Sequence, residues 1–511
     1  MVIRESPFTA RFDERVQSEL RKWNVPGLSV AIVQGSSIFT KAYGISEFPD
    51  KPMTTKSLFS TCSTTKAFTA AVTSLIIEDS KSSQHPIAWD TPLASLTPDD
   101  FVFPDGDATQ HTTLEDALSH RSGLGMHWGC MRWARKDETL REAVRKIRHL
   151  AMAHPPRTTF SYCNHMYLAV SHAIEQYTGR ELGALLKDRI WEPLGMQDTY
   201  FSVPEAQACP AASERLVRGY TWDADSQAQI AEPYMDYPPT TGCGAMVSSV
   251  EDYALWVRAL IQSKVSTRET LLFPRIAFPA FEEGVHPPAP YHLYALGWFV
   301  ENYRGEPLYW HTGSWPGFGI LVGFVPGKEF GFVFMGNSMD ARFAAASLYM
   351  YLLDVVLGIP PGQAGEYSKQ TEDLVRERRK RSIKTMEEAK RRLYPGLPSQ
   401  PLPPSLSLEI YAGFYAHPGY GSFELLLDGG RRLYADLPDR AIATRLKLEH
   451  ASGDFFVGKL YSPGGGGDGV TFFQVEFSID HMAKVERVGL DLEPELRGDK
   501  IWFDRHDHRL T

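Results

Sequence analysis

Five cysteines in 511 residues are too few, and an odd number, for a disulfide framework. Asparagine is scarcer still: Asn24, Asn164, Asn302 and Asn337 are the only four, and none sits in an N-x-S/T sequon. No run approaches the roughly 20 apolar residues of a membrane span; the best candidate, Ser347–Ile359, is short and contains Asp354. Basic charge is also lacking. Against 62 Asp and Glu stand 53 Lys and Arg, a net charge of −9. That excludes the dominant basic field needed to coat nucleic acid or an anionic membrane. The opening MVIRESPFTARFDER is charged where a signal peptide needs an apolar run, and the closing HDHRLT fits no prenylation or peroxisomal signal. These absences predict a soluble, reduced, cytoplasmic protein without nucleic-acid or membrane partners.

What is present is globular: 43% apolar and 23% charged residues, enough for a sizeable core. Phe12, Val16 and Leu20 predict an amphipathic helix over 11–22. Gly27–Val33 and Ile38–Tyr43 read as strands around a Gly35-Ser36-Ser37 turn. The pattern over 64–185 is mostly helical, and strands return between 290 and 337, with a hairpin signal at Leu321–Val325, Pro326-Gly327 and Gly331–Met335. Strands at both ends of a helical middle predict one sheet assembled from both ends of a domain. Residues 366–393 hold ten Lys/Arg and six Asp/Glu, which reads as a solvated helix or tether. Proline punctuation from Pro395 to Pro404 follows, as in a linker. From 406 the pattern is all-β, with Phe473, Val475, Phe477 and Ile479 alternating with polar residues; the run Gly464–Gly467 reads as a hairpin tip. The expected division is 1–360, a connector at 361–405, and a β-domain at 406–511.

One constellation carries chemistry. Ser63-Thr64-Thr65-Lys66 precedes a helical apolar pattern (Phe68, Val72, Leu75, Ile76). Positions three apart share a helix face, which sets the Lys66 amine beside the Ser63 hydroxyl. A serine needs an adjacent base to become a nucleophile, and a buried lysine with a lowered pKa can serve. The competing reading makes Ser63 a helix N-cap.

The stretch Phe59–Ala70 resembles the nucleophile motif of the serine β-lactamase and penicillin-binding-protein superfamily, closest to its class C-like branch of esterases, D-aminopeptidases and acyltransferases. Tyr162-Cys163-Asn164 resembles that branch's Y-x-N motif, and His311-Thr312-Gly313-Ser314 its third motif, in the expected order. Leu118–Leu124, Pro193–Met196 and Gly242–Ser249 resemble further family segments, the last a glycine-rich strand. Tyr411–Tyr415 with His417–Gly421 resembles the small lipocalin-like β-barrel often appended to these hydrolases.

The resemblance implies an α/β (α+β) domain, an antiparallel sheet flanked by helices with a helical subdomain, followed by an all-β barrel. It implies Ser63 as acyl-accepting nucleophile, Lys66 and Tyr162 sharing base and acid work, and the Ser63 and Ser314 N–H groups as oxyanion hole. Asn164 would orient the lysine or the substrate. His311 stands where lactamases carry lysine; a partly charged histidine argues against a dedicated β-lactamase. Met126, His127, Trp128, Tyr234, Met235, Tyr237, Trp315 and Phe318 suggest a broad apolar acyl or aryl pocket, with Trp128 and Trp315 as substrate-binding residues. Cys62, Cys163 and Cys243, beside the motifs, read as small buried fillers. No metal or cofactor is called for. The expectation is a serine acyl hydrolase, esterase or amidase, on a small-molecule acyl substrate. An acyltransferase and a non-catalytic ligand-binding or scaffold descendant are the alternatives, and homo-oligomerisation is left open.

Overall fold

The computed structural model describes residues 6–235, 237–279, 291–430, 432–462 and 470–507; the glycine run Gly464–Gly467 lies outside them. Among the described residues, nine strands form one antiparallel sheet: β1 (Gly27–Gln34), β2 (Ser37–Glu47), β3 (Lys51–Pro52), β4 (Ile276–Phe278), β5 (His292–Tyr294), β6 (Phe299–Tyr303), β7 (Glu306–Trp315), β8 (Phe318–Val325) and β9 (Phe330–Gly336). Their order is β3-β2-β1-β9-β8-β7-β6-β5-β4, so the two ends of the domain meet where β1 pairs with β9. The β8–β9 hairpin turns at Pro326–Lys328, as the Pro-Gly signal predicts.

Every residue of β1 is buried because both faces of the sheet are covered. Leu28, Val30 and Ile32 point to one side, against Phe12, Val16 and Leu20 of α1 (Ala10–Lys22) and Leu348 and Leu352 of a C-terminal helix (Ala341–Val356). Ala31 and Val33 point to the other, into the core built by α2 (Thr65–Ser80), α3 (Asn164–Thr178) and α4 (Val250–Ile261). Helix Ala341–Val356 contains most of the apolar run at 347–359. Among the described residues, no helix is long and apolar enough to cross a membrane.

The charged stretch at 366–393 is not a free tether. Helix Tyr367–Arg381 seats Tyr367 and Val375 in the core beside α1. Helix Met386–Leu393 buries Ala389, and the Tyr394 hydroxyl bonds to the backbone of Phe456 and Val475. A few apolar residues at helical spacing suffice to dock each helix, and charge composition hides them.

Residues 413–506 form a closed barrel of eight described strands: β10 (Gly413–His417), β11 (Gly421–Asp428), β12 (Arg432–Leu437), β13 (Thr444–Ser452), β14 (Phe455–Tyr461), β15 (Thr471–Ile479), β16 (Val485–Leu490) and β17 (Ile501–His506). Phe473, Val475 and Phe477 point inward on β15, as their alternation predicts. With Tyr415, Phe423, Leu433, Leu446, Phe456, Val488 and Phe503 they fill the interior.

Candidate active site

Ser63 lies in the 3₁₀ turn Cys62–Thr64 that leads into α2. It is the only residue from Thr61 to Lys66 that is not buried. The N-cap reading fails: Thr64 holds that position without a side-chain cap bond, and Ser63 Oγ instead accepts from Lys66 Nζ at 3.2 Å. Cys62, just before it, has φ +51°, a left-handed conformation that a β-substituted residue adopts at a cost. The turn is pinned by the two-residue ladder of Phe59–Ser60 with Val247–Ser248 and by β7. At Gly313 of β7 a Cβ would stand 2.4 Å from the Thr61 carbonyl, so only glycine lets the strand approach the nucleophile turn this closely. The next residue on β7 is Ser314, whose Oγ accepts from Arg342 at 2.7 Å.

Lys66 is fully buried. Its Nζ donates to Asn164 Oδ1 at 2.7 Å and to the Cys243 carbonyl at 2.8 Å. Both are acceptors only, so they use two N–H bonds whichever protonation state the amine is in. The third direction faces Ser63. As an ammonium Lys66 donates there; as a neutral amine it turns its lone pair to the serine hydroxyl. Burial lowers its pKa to about 8, which brings the neutral form within reach near neutrality. Asn164 is the first residue of α3, and Cys243 lies in the short helix Thr241–Gly244. That helix corrects the expected glycine-rich strand: within 242–249 only Val247–Ser248 is extended.

Tyr162 is buried at the same centre, with Lys66 Nζ 5.0 Å from its ring centroid. The Ser161 N–H donates to the His120 carbonyl at 2.8 Å and the Cys163 N–H to His120 Nδ1 at 3.0 Å. His120 therefore grips the backbone on either side of Tyr162. It does so from a left-handed conformation, φ +58°, and burial keeps its imidazole neutral. This is a role that residue-type reasoning missed, although the Leu118–Leu124 segment was the signal.

His311 departs from expectation. It is 1% exposed, its Nδ1 donates to the Thr312 carbonyl at 2.6 Å, and its Nε2 meets the Tyr294 hydroxyl at 3.1 Å. Burial lowers its pKa to about 3. It is a neutral prop inside the domain, not a partly charged group presented to substrate. Phe318, Met235, Tyr237 and His127 are likewise buried and belong to the core rather than the pocket wall. Trp128 and Trp315 stay half-buried and meet edge to face, centroids 6.0 Å apart, although 187 positions separate them. Cys62, Cys163 and Cys243 are buried free thiols whose pKa burial raises, so they resist ionisation.

Residues 11–357 match the family model Beta-lactamase, and residues 397–505 a domain of unknown function, DUF3471. The chain belongs to the beta-lactamase family. It is 33% identical to an unguisins hydrolase of Aspergillus campestris over 98% of this chain and 92% of that protein. It is 27% identical to a D-aminopeptidase of Brucella canis over 66% of this chain and 61% of the relative. Among solved structures, the octameric penicillin-binding protein homologue of Pyrococcus abyssi is similar in fold, with a TM-score of 0.61 and 21% identity over 97% of this chain and 99% of that one. The chain thus falls in a β-lactamase-fold serine hydrolase family with amidase- and peptidase-like homologues.

Proposed function

We propose that the protein is a serine amidase of the class C-like type that works through an acyl-enzyme on Ser63. The observation that carries this is the three-way setting of Lys66 Nζ: two obligate acceptors, with the remaining direction toward Ser63 Oγ. Lys66 takes the Ser63 proton as Oγ attacks the substrate carbonyl carbon. The tetrahedral oxyanion is held by the Ser63 and Ser314 N–H groups. Tyr162 passes its proton to the departing nitrogen and is reprotonated from Lys66, the amine leaves, and water repeats the sequence to release the acid and restore Ser63. With its pKa near 8, about one Lys66 in ten is neutral at pH 7 and able to act as base.

The names of the relatives, an unguisins hydrolase and a D-aminopeptidase, favour an amide bond in a peptide-like substrate over an ester. The Trp128–Trp315 pair favours a bulky apolar or aromatic acyl group. A reducing, cytoplasmic setting is part of the same proposal, supported by five free thiols. The test is intact-mass analysis after treatment with a fluorophosphonate. A single adduct on the wild type, absent from Ser63→Ala, is expected; no adduct, or an equal adduct on the variant, refutes the mechanism.

A further inference from the structure

The barrel meets the catalytic domain at a defined place. The segment from Trp128 to Lys136 lies across one rim: the Ala441 N–H donates to the Ala134 carbonyl at 2.8 Å, Arg132 donates to Thr444 Oγ1 at 3.2 Å, and Trp133 packs on Phe423 and Phe503. Next to it, the connection between β16 and β17 turns two carboxylates toward the catalytic domain. Glu493 accepts the Trp128 N–H at 3.1 Å, the Gly129 N–H at 2.8 Å and the Tyr420 hydroxyl at 3.0 Å. Glu495 accepts the Met126 N–H at 3.0 Å and the Ser161 hydroxyl at 2.9 Å. A Cβ at position 129 would come within 2.9 Å of Glu493 Oε1, so glycine is what admits the carboxylate to the backbone there.

These contacts fall on the elements that the chemistry uses. Ser161 adjoins Tyr162. His120 holds the backbone on both sides of that tyrosine, and Glu495 holds the Ser161 side chain beside it. Trp128 is half of an aromatic pair with Trp315, the residue that follows Ser314 on β7. The barrel interior is filled by its own rings, which leaves its rim as the part able to act.

We propose that the barrel's Glu493–Glu495 turn is a working part of the active site, with Glu495 a positioning residue for Tyr162 and Glu493 a positioning residue for the Trp128 wall. This rests on the acyl-enzyme reading above. Tyr162 matters most when the leaving group is a poor one that must be protonated. Loss of Glu495 therefore slows departure of an amine and spares departure of p-nitrophenolate or fluoride.

The experiment uses the full chain and N-acetyl-phenylalanine, both enantiomers, as p-nitrophenyl ester and as p-nitroanilide, beside the rate of fluorophosphonate labelling. Glu495→Ala and Ser161→Ala are each expected to lower kcat on the anilide by about tenfold. Ester acylation, read as kcat/KM, and labelling should stay near wild type, Glu495→Gln should recover part of the loss, and the double variant should be no slower than the worse single one. Glu493→Ala, and Gly129→Ala from the catalytic side, are expected to raise KM for the aromatic ester several-fold, but not for p-nitrophenyl acetate. Anilide kcat within twofold of wild type overturns the role of Glu495. So does an equal fall in anilide, ester and labelling rates, which marks a mere structural prop, and so does a double variant whose loss is the product of the two. An unchanged aromatic KM overturns the role of Glu493. A wild type that takes no label removes the acyl-enzyme reading itself, whereas labelled wild type with unaffected variants removes only the role of the turn.

Discussion

The barrel fills its interior with rings and aliphatic chains, Phe423, Phe456, Phe477 and Phe503 among them, whereas the catalytic domain buries an amine, Lys66, and several imidazoles, His120 and His311 among them, at the corresponding depth. Burying an ionisable group costs free energy unless hydrogen bonds offset it. Around Lys66 they do, and the residual cost survives as a lowered pKa. The barrel interior carries no such cost and offers no such chemistry. Its buried acid, Glu493, is at the rim, against the other domain. The difference teaches where to look: the positions at which a fold keeps an expensive polar group are the positions at which it acts.

Breaking the polar centre has the largest effect. Lys66→Met is expected to lower kcat/KM by about 10³-fold on a p-nitrophenyl ester, since the base is lost. Breaking the apolar interior does something else. Phe477→Ala, which removes a ring 4.9 Å from Tyr411 and 5.2 Å from Phe456, is expected to cost about 3–5 kcal/mol in urea unfolding while the folded fraction still labels at Ser63.

The pH profile sharpens the contrast. On the proposed mechanism Lys66 acts as the neutral amine, so kcat/KM is expected to rise about tenfold per pH unit and level off above about 8. His311→Gln should leave that limb in place, because His311 is already neutral across the range. Trp128→Ala or Trp315→Ala is expected to raise KM on an aromatic acyl ester about tenfold, with little change on an acetyl ester.

The smallest effect is at the rim. Burial raises the Glu493 pKa to about 7, above the usual carboxylate value. Its neighbours are Glu495 on its own turn, Tyr420 and His417 from the barrel, and His127 and Cys130 from the catalytic side, with Lys146 behind Cys130. The geometry agrees: His127 Nε2 donates to the Ala151 carbonyl, and the single Tyr420 proton cannot serve both His127 Nδ1 at 2.6 Å and a charged Glu493 at 3.0 Å, so the chain needs one more proton. A folded pKa above the unfolded one contributes stability that is full below about 4.5 and is lost as pH rises through about 7. Unfolding measured from pH 5 to 8 should show that decline, and Glu493→Gln, neutral throughout, should flatten it.

Much of this was legible in the chain. Period-two and period-3.6 patterns located β1, β2, the β8–β9 hairpin, α1 and β15, because both faces or one face of each element are buried in a regular register. That Ser63, Lys66, Tyr162 and Asn164 come together was legible because their spacing is local or their motifs resemble the family's. His311 was misread in charge, since residue type says nothing of burial. The solvated helix read at 366–393 is present, but its docking was not legible, because composition averages over the few residues that touch a core.

By itself the sequence determined which segments at both ends of the domain are strands, the barrel's alternation and the Ser63-to-Lys66 spacing, all of which depend on near neighbours along the chain. Only the tertiary structure decided that Lys66 has two obligate acceptors and a third direction open to Ser63, that His311 is a neutral prop, and that Glu493 and Glu495 reach Trp128 and Ser161 from more than 300 residues away. The physical reason is that pKa, burial and hydrogen-bond saturation are set by what packs around a group in space, and sequence distance carries no record of that.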